Sequence, residues 1–148
     1  MHDLRDKLVD LALTWERAFG NAPHITAALS ELDAARLVGC SIDEYTECMR
    51  GATAVRRGHD FEFKGQRYQV KANRPSGKPG SRVTLVAKAK NFDWDVLIWI
   101  LYDKNYNIQE AWLWEVDPYR QAFESVKRLA PSHYQRGTRL LVPRNPAI

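Results

Sequence analysis

Cysteine is scarce in this chain of 148 residues: there are two, Cys40 and Cys48, and they form no CxxC pair. That excludes a disulfide framework as the basis of the fold, and buried thiols within a helical segment are expected instead. Long hydrophobic runs are also missing. The longest is VLIWILY, residues 96–102, where a transmembrane helix needs about 20 apolar residues. The first ten residues, MHDLRDKLVD, hold three acids and no apolar leader stretch, so no secretory signal is evident. These absences lead us to expect a soluble, cytoplasmic protein that engages no membrane. The histidines, at 2, 24, 59 and 133, are scattered without an HxxxH or HExxH spacing, which argues against a zinc hydrolase. Neither GxGxxG nor GxxxxGK[ST] occurs. The segment PSGKPGS has the glycines of a phosphate loop without its spacing. No nucleophile elbow and no internal repeat are found.

Hydrophobic residues make up 45% of the chain, enough to build a core, and the length suits one domain. We divide it into an N-terminal helix (1–22), a core (24–130) and a C-terminal tail (131–148). The net charge of +4 is unevenly spread. Between Arg56 and Lys90 ten Lys and Arg face two acids, Asp60 and Glu62, leaving 12 cations and 16 anions elsewhere. A basic segment around a Pro/Gly-rich loop points to a polyanion partner, with nucleic acid ahead of a merely solvated surface.

Leu4, Leu8, Leu11, Trp15 and Phe19 fall on one stripe of a helix over 3–19, stopped by Gly20. A second helix is expected from Ile25 to Leu37, with Ala28, Leu29, Leu32, Ala35 and Leu37 as candidate buried positions. SIDE, Ser41 to Glu44, matches a capping box and opens a third helix to about Arg50. After Gly51 the period becomes alternating. DFEFKGQRYQVKA reads as a hairpin, RVTLVA (82–87) as a further strand, and WDVLIWILYD as a central strand buried on both faces. NIQEAWLWEV alternates and should pair with that strand through the DKNY turn. Asp117-Pro118 would cap a final helix whose apolar face holds Tyr119, Ala122, Phe123, Val126 and Leu129. The tail PRNPAI is expected to be irregular. The tryptophans are expected in the core rather than on a base-stacking platform, because they alternate as strand residues do. Asp93 and Asp95 read as turn and cap residues. The sum is an α+β domain with a mixed, mostly antiparallel sheet flanked by helices.

A two-residue turn at Lys64-Gly65 sets the hairpin register. Phe63 then faces Gln66, Glu62 faces Arg67, Phe61 faces Tyr68 and Asp60 faces Gln69. Alternation puts Phe61, Phe63, Tyr68 and Val70 on an apolar face, and Asp60, Glu62, Arg67, Gln69 and Lys71 on a polar one. A plain surface hairpin accounts for the same residues, with Glu62 and Arg67 as an exposed ion pair. Phosphodiester hydrolysis gives a sharper alternative. It needs a hard cation to polarise the phosphate and acidify a water, and Mg²⁺ is satisfied by few protein oxygens because it keeps several waters. Asp60 and Gln69 would supply oxygens, Lys71 would orient the water or stabilise charge, and Arg74, Lys78 and Arg82 would meet phosphates.

The pattern D60-(x8)-Q69-V-K71, in basic sequence and preceded by a helix bearing Glu, resembles the PD-(D/E)XK nucleases, the restriction-endonuclease-like superfamily. SELDAARLVG, GHDFEFKGQRYQVKANRPSGKPGS and FDWDVLIWILYDKNYNIQEAWLW are similar to small bacterial endonuclease-like proteins, and the likeness runs from about Ile25 to Ala130. It implies a restriction-endonuclease-like core of a mixed sheet flanked by helices, and a Mg²⁺-dependent deoxyribonuclease, with Mn²⁺ as a substitute. It makes Asp60 the metal-binding acid, Gln69 the occupant of the second acid's place, Lys71 the motif lysine and Glu31 the helix acid of the metal shell. Glu44 and Glu47 compete with Glu31. The Val70 carbonyl would join the metal, and Lys88 and Lys90 would extend the phosphate contacts. The sequence departs from the motif at His59, where a proline would stand, and at Gln69, which removes a negative charge. It also shows no amphipathic helix between Lys71 and Val96, only room for a turn near Lys88 to Phe92. DNA is the implied partner, and a homodimer would suit cutting both strands. The alternatives are a catalytically inactive DNA-binding module of the same fold and a protein-interaction domain whose basic loop meets an acidic protein.

Overall fold

The computed structural model describes residues 3–51 and 58–143. Arg56, Arg57 and the last five residues of the PRNPAI tail lie outside them. Helices come first: α1 (Leu4–Phe19), α2 (Thr26–Leu37) and α3 (Ile42–Gly51). Strands β1 (Phe61–Phe63), β2 (Gln66–Asn73), β3 (Val96–Tyr102) and β4 (Ile108–Glu115) follow, then α4 (Val116–Phe123), α5 (Pro131–Tyr134) and β5 (Thr138–Arg139). The strands form one sheet in the order β1-β2-β3-β4-β5. Only β2 and β3 run parallel; the other three neighbouring pairs are antiparallel. The domain is therefore α+β with a five-stranded mixed sheet.

The sheet separates two cores. On one face Tyr68, Val70, Val96, Ile98, Ile100 and Tyr102 pack under α1 and α2 with Val9, Ala12, Leu29, Ala34 and Ala35. On the other, Leu97, Trp99 and Trp114 pack with Trp94, Tyr119, Phe123, Leu129 and Tyr134. Central β3 feeds both and is buried at every position but Leu101, as a strand covered on two faces must be. Trp94, Trp99 and Trp114 are core residues as expected; Trp112 is half-buried beneath the Arg139 guanidinium. Cys40 is buried, Cys48 half-buried, and neither is in a disulfide.

The Lys64-Gly65 turn has both residues at positive φ, 50° and 77°, the conformation a tight hairpin turn requires. Its register is Phe61 with Tyr68, Glu62 with Arg67 and Phe63 with Gln66. The capping box also forms: Glu44 N–H donates to Ser41 Oγ at 3.1 Å, and Ser41 N–H to Glu44 Oε1 at 3.1 Å.

Several expectations are corrected. The stripe on α1 is not its buried face. Leu4, Leu11, Trp15 and Phe19 are 81%, 70%, 53% and 68% exposed, while Val9 and Ala12 face the core. In α2, Ala28 is exposed, and Ser30, Asp33 and Ala34 are buried beside Leu29 and Ala35. RVTLVA forms no strand; only Val86 makes a bridge, to Leu129. Residues 74–95 cross from β2 to β3 without a helix or named strand. The last long helix starts at Val116 with Glu115 as its cap, so Asp117 and Pro118 lie in the first turn, and it ends at Phe123. Helix α5 and strand β5 follow where a tail was expected.

Candidate active site

The hairpin builds one side of the site. Asp60 precedes β1 and closes the ladder twice: its N–H donates to the Tyr68 carbonyl at 2.7 Å, and its Oδ2 accepts from Val70 N–H at 2.7 Å. The carboxylate is therefore held to β2 at the Val70 N–H. Gly58 fixes the approach. Its φ is +81°, and a Cβ there would lie 2.6 Å from Asp93 Cβ and 2.8 Å from Asn91 Oδ1. Only glycine lets the chain pass this close to the 91–93 turn before reaching Asp60.

Along β2, Tyr68 and Val70 are buried, while Gln69, Lys71 and Asn73 are half-buried on the opposite face. They share that face with Leu97 and Trp99, their partners in register on β3 being Leu97 for Gln69 and Trp99 for Lys71. Asn73 Oδ1 accepts from Trp99 Nε1 at 3.0 Å, which fixes the far end of the row. Burial pushes the Lys71 ammonium below its ordinary pKa; the Asp60 carboxylate opposes the fall and Lys90 adds to it. Lys71 thus sits in the field of one acid and one further cation, on the margin of an aromatic core.

Glu62 and Arg67 are register partners but do not pair. Glu62 takes His59 Nε2 at 2.9 Å, and Arg67 takes Asp95 at 3.2 Å. Asp95 also accepts from Arg67 N–H at 2.8 Å, and Arg67 holds its carboxyl below the usual carboxylate range. Asp95 therefore braces the entry to β3. Asp93 sits in a turn, its N–H donating to Asn91 Oδ1 at 3.0 Å.

The expected phosphate-contacting cations divide into two groups. Lys78, Arg82 and Lys90 are exposed. Arg74 and Lys88 are committed to the fold. Arg74 makes two hydrogen bonds to Glu16, each 3.0 Å, donates from Nε to the Lys104 carbonyl at 2.9 Å and lies over the Tyr106 ring at 4.2 Å. Lys88 Nζ donates to the Glu124 and Val126 carbonyls, each at 2.9 Å, just past the end of α4.

Glu31 is half-buried on α2. That helix packs over the face of the sheet carrying Tyr68 and Val70, opposite the face of Gln69 and Lys71. Asp60 acts on Lys71 electrostatically, and Gln69 shares the Lys71 face of β2; Glu31 belongs to the helix that covers the other face. Glu44 is spent on its capping box. Among the described residues no group of three or more His, Cys, Asp or Glu is placed to hold a metal ion. The donor chemistry at the hairpin, one carboxylate just before β1 and one amide oxygen on β2, suits a hard divalent cation that keeps most of its water.

Sequence reasoning missed the most elaborate polar cluster. Arg5 donates to Asp33 from Nε at 2.7 Å and from Nη2 at 2.9 Å, and Nη2 also reaches the Tyr106 carbonyl at 2.7 Å. Tyr102 donates to Asp33 Oδ2 at 2.6 Å, and burial holds that phenol well above its ordinary pKa. Asp33 is 3% exposed. Its one signal in the sequence was an acid set among buried positions of a helix. Comparison with protein-family models and with curated proteins gave no match.

Proposed function

We propose that the chain is a metal-dependent endonuclease acting on DNA, with a restriction-endonuclease-like core. What carries the proposal is the half-buried Lys71, two residues beyond Gln69 on β2 and within the field of Asp60 and Lys90. A lysine desolvated beside a carboxylate has the chemistry to position a water and stabilise charge developing on phosphate. Asp60 and the Gln69 oxygen, with the Val70 carbonyl and Glu31 as further candidates, would hold Mg²⁺ or Mn²⁺, which when bound polarises the phosphate and acidifies water. Exposed Lys78, Arg82 and Lys90 would meet the DNA backbone, while Arg74 and Lys88 would shape the loop that presents them. The protein would act in the cytoplasm.

The test is nicking of plasmid DNA by purified protein in Mg²⁺. Asp60→Ala and Lys71→Ala should each lower the rate about 10²–10⁴-fold, and equal cleavage by both variants excludes the mechanism. A second reading, a DNA-binding module without cleavage, is favoured by Gln69 in place of an acid. It is the better account if DNA binds with steep salt dependence but is not cut in Mg²⁺ or Mn²⁺.

A further inference from the structure

Helix α1 turns its most apolar stripe to solvent. Leu4, Leu11, Trp15 and Phe19 are each more than half exposed, and Trp15 and Phe19 lie against each other with ring centroids 4.7 Å apart. Half-buried Leu8 links the row to the core. The steps from Leu4 to Leu8, Leu11 and Trp15 are four, three and four residues, the spacing of a helix–helix seam. We infer that this stripe is a self-association surface and that its occupant is the same helix of a second copy, running antiparallel.

Three observations favour a second copy. The first is area: the four side chains leave about 500 Å² open per copy, so a symmetric pair would bury about 1,000 Å², the lower limit of a specific interface. The second is orientation: antiparallel copies oppose the two helix dipoles, whereas parallel copies align them. The third is what the remaining surface of α1 cannot do. Its polar positions hold Asp3, Asp6, Asp10 and Glu16 against Arg5, Lys7 and Arg17, without the cationic excess that draws an amphipathic helix to anionic lipid. An isologous interface needs only this one patch. The inference does not rest on the nuclease proposal, because α1 covers the sheet face opposite Gln69 and Lys71.

Sedimentation equilibrium of the full chain tests it. Wild type should show twice the chain mass of 17.1 kDa. Leu11→Glu and Trp15→Glu, both at exposed positions, should weaken the dimer by about 100-fold or more with unchanged far-UV circular dichroism. The milder Leu4→Gln/Leu11→Gln pair checks that loss of the dimer is not loss of fold. Asp60→Ala should stay dimeric whether or not it cuts DNA. Orientation is read by oxidative cross-linking, where Leu11→Cys, near the centre of an antiparallel seam, should link faster than Leu4→Cys. A monomeric wild type up to about 100 µM, or a dimer indifferent to the Glu substitutions, overturns the inference, whatever else the stripe then binds. Faster linking of Leu4→Cys overturns the antiparallel arrangement.

Discussion

Two charged clusters lie on opposite sides of the same sheet and are built on opposite principles. Around Asp33 every oxygen is answered: a bidentate guanidinium and a phenol converge on one carboxylate, at 2.6 to 2.9 Å. Around Lys71 the charge is held near Asp60 and Lys90 while burial works against it. The first cluster ties α1, α2, β3 and the 103–107 turn into one body. The second carries a half-desolvated cation whose cost is not offset by comparable bonding. On the function proposed above, the first cluster serves stability and the second would act on a bound substrate.

Substitutions can break this contrast. Asp33→Ala leaves the Arg5 guanidinium with one of its three hydrogen bonds and should cost about 3–5 kcal/mol, read as a fall in the urea midpoint at constant m-value. Gly58→Ala should cost less, about 1–3 kcal/mol, because a side chain there meets Asp93 and Asn91. If Gly58 positions Asp60, this variant loses nicking beyond what its stability loss explains, and a stable variant with normal nicking would separate the two. Smallest is Lys71→Met, which should raise stability by up to about 1 kcal/mol at pH 7. The folded state binds the Lys71 proton less tightly than the unfolded chain, so the penalty is complete below the depressed folded pKa. It is relieved as pH rises toward 10.5. The gap between wild type and Lys71→Met should therefore close with rising pH; a constant gap would mean that Lys71 is not strained by burial.

The sequence was most legible where local chemistry decides. Lys64-Gly65 dictated a turn, the turn dictated the pairing of Phe61, Glu62 and Phe63 with Tyr68, Arg67 and Gln66, and Asp60 follows on with bonds to Tyr68 and Val70. Ser41 and Glu44 signalled their own helix start. Periodicity alone was ambiguous for α1, because two stripes compete on that helix and the less hydrophobic one, with Val9 and Ala12, wins the core. The Arg5–Asp33–Tyr102 cluster was invisible because its members are far apart in the chain and no spacing rule links them. Arg74 was read as a phosphate contact for the same reason: Glu16 and the Lys104 carbonyl, which claim it, belong to distant segments. Strand β5 has only two residues, too few for any pattern.

The lone parallel ladder has a consequence for how the chain folds. β1–β2 and β3–β4 are hairpins that close over short turns, whereas Tyr68 meets Val96 only after the whole 74–95 crossover is looped out. Loop-closure entropy must be met there before any bond repays it. The two hairpins are thus the natural early units, and their side-by-side docking the slow step. Because Gln69 and Lys71 belong to one hairpin and Trp99 to the other, the candidate site gains its aromatic wall only when that last step is complete.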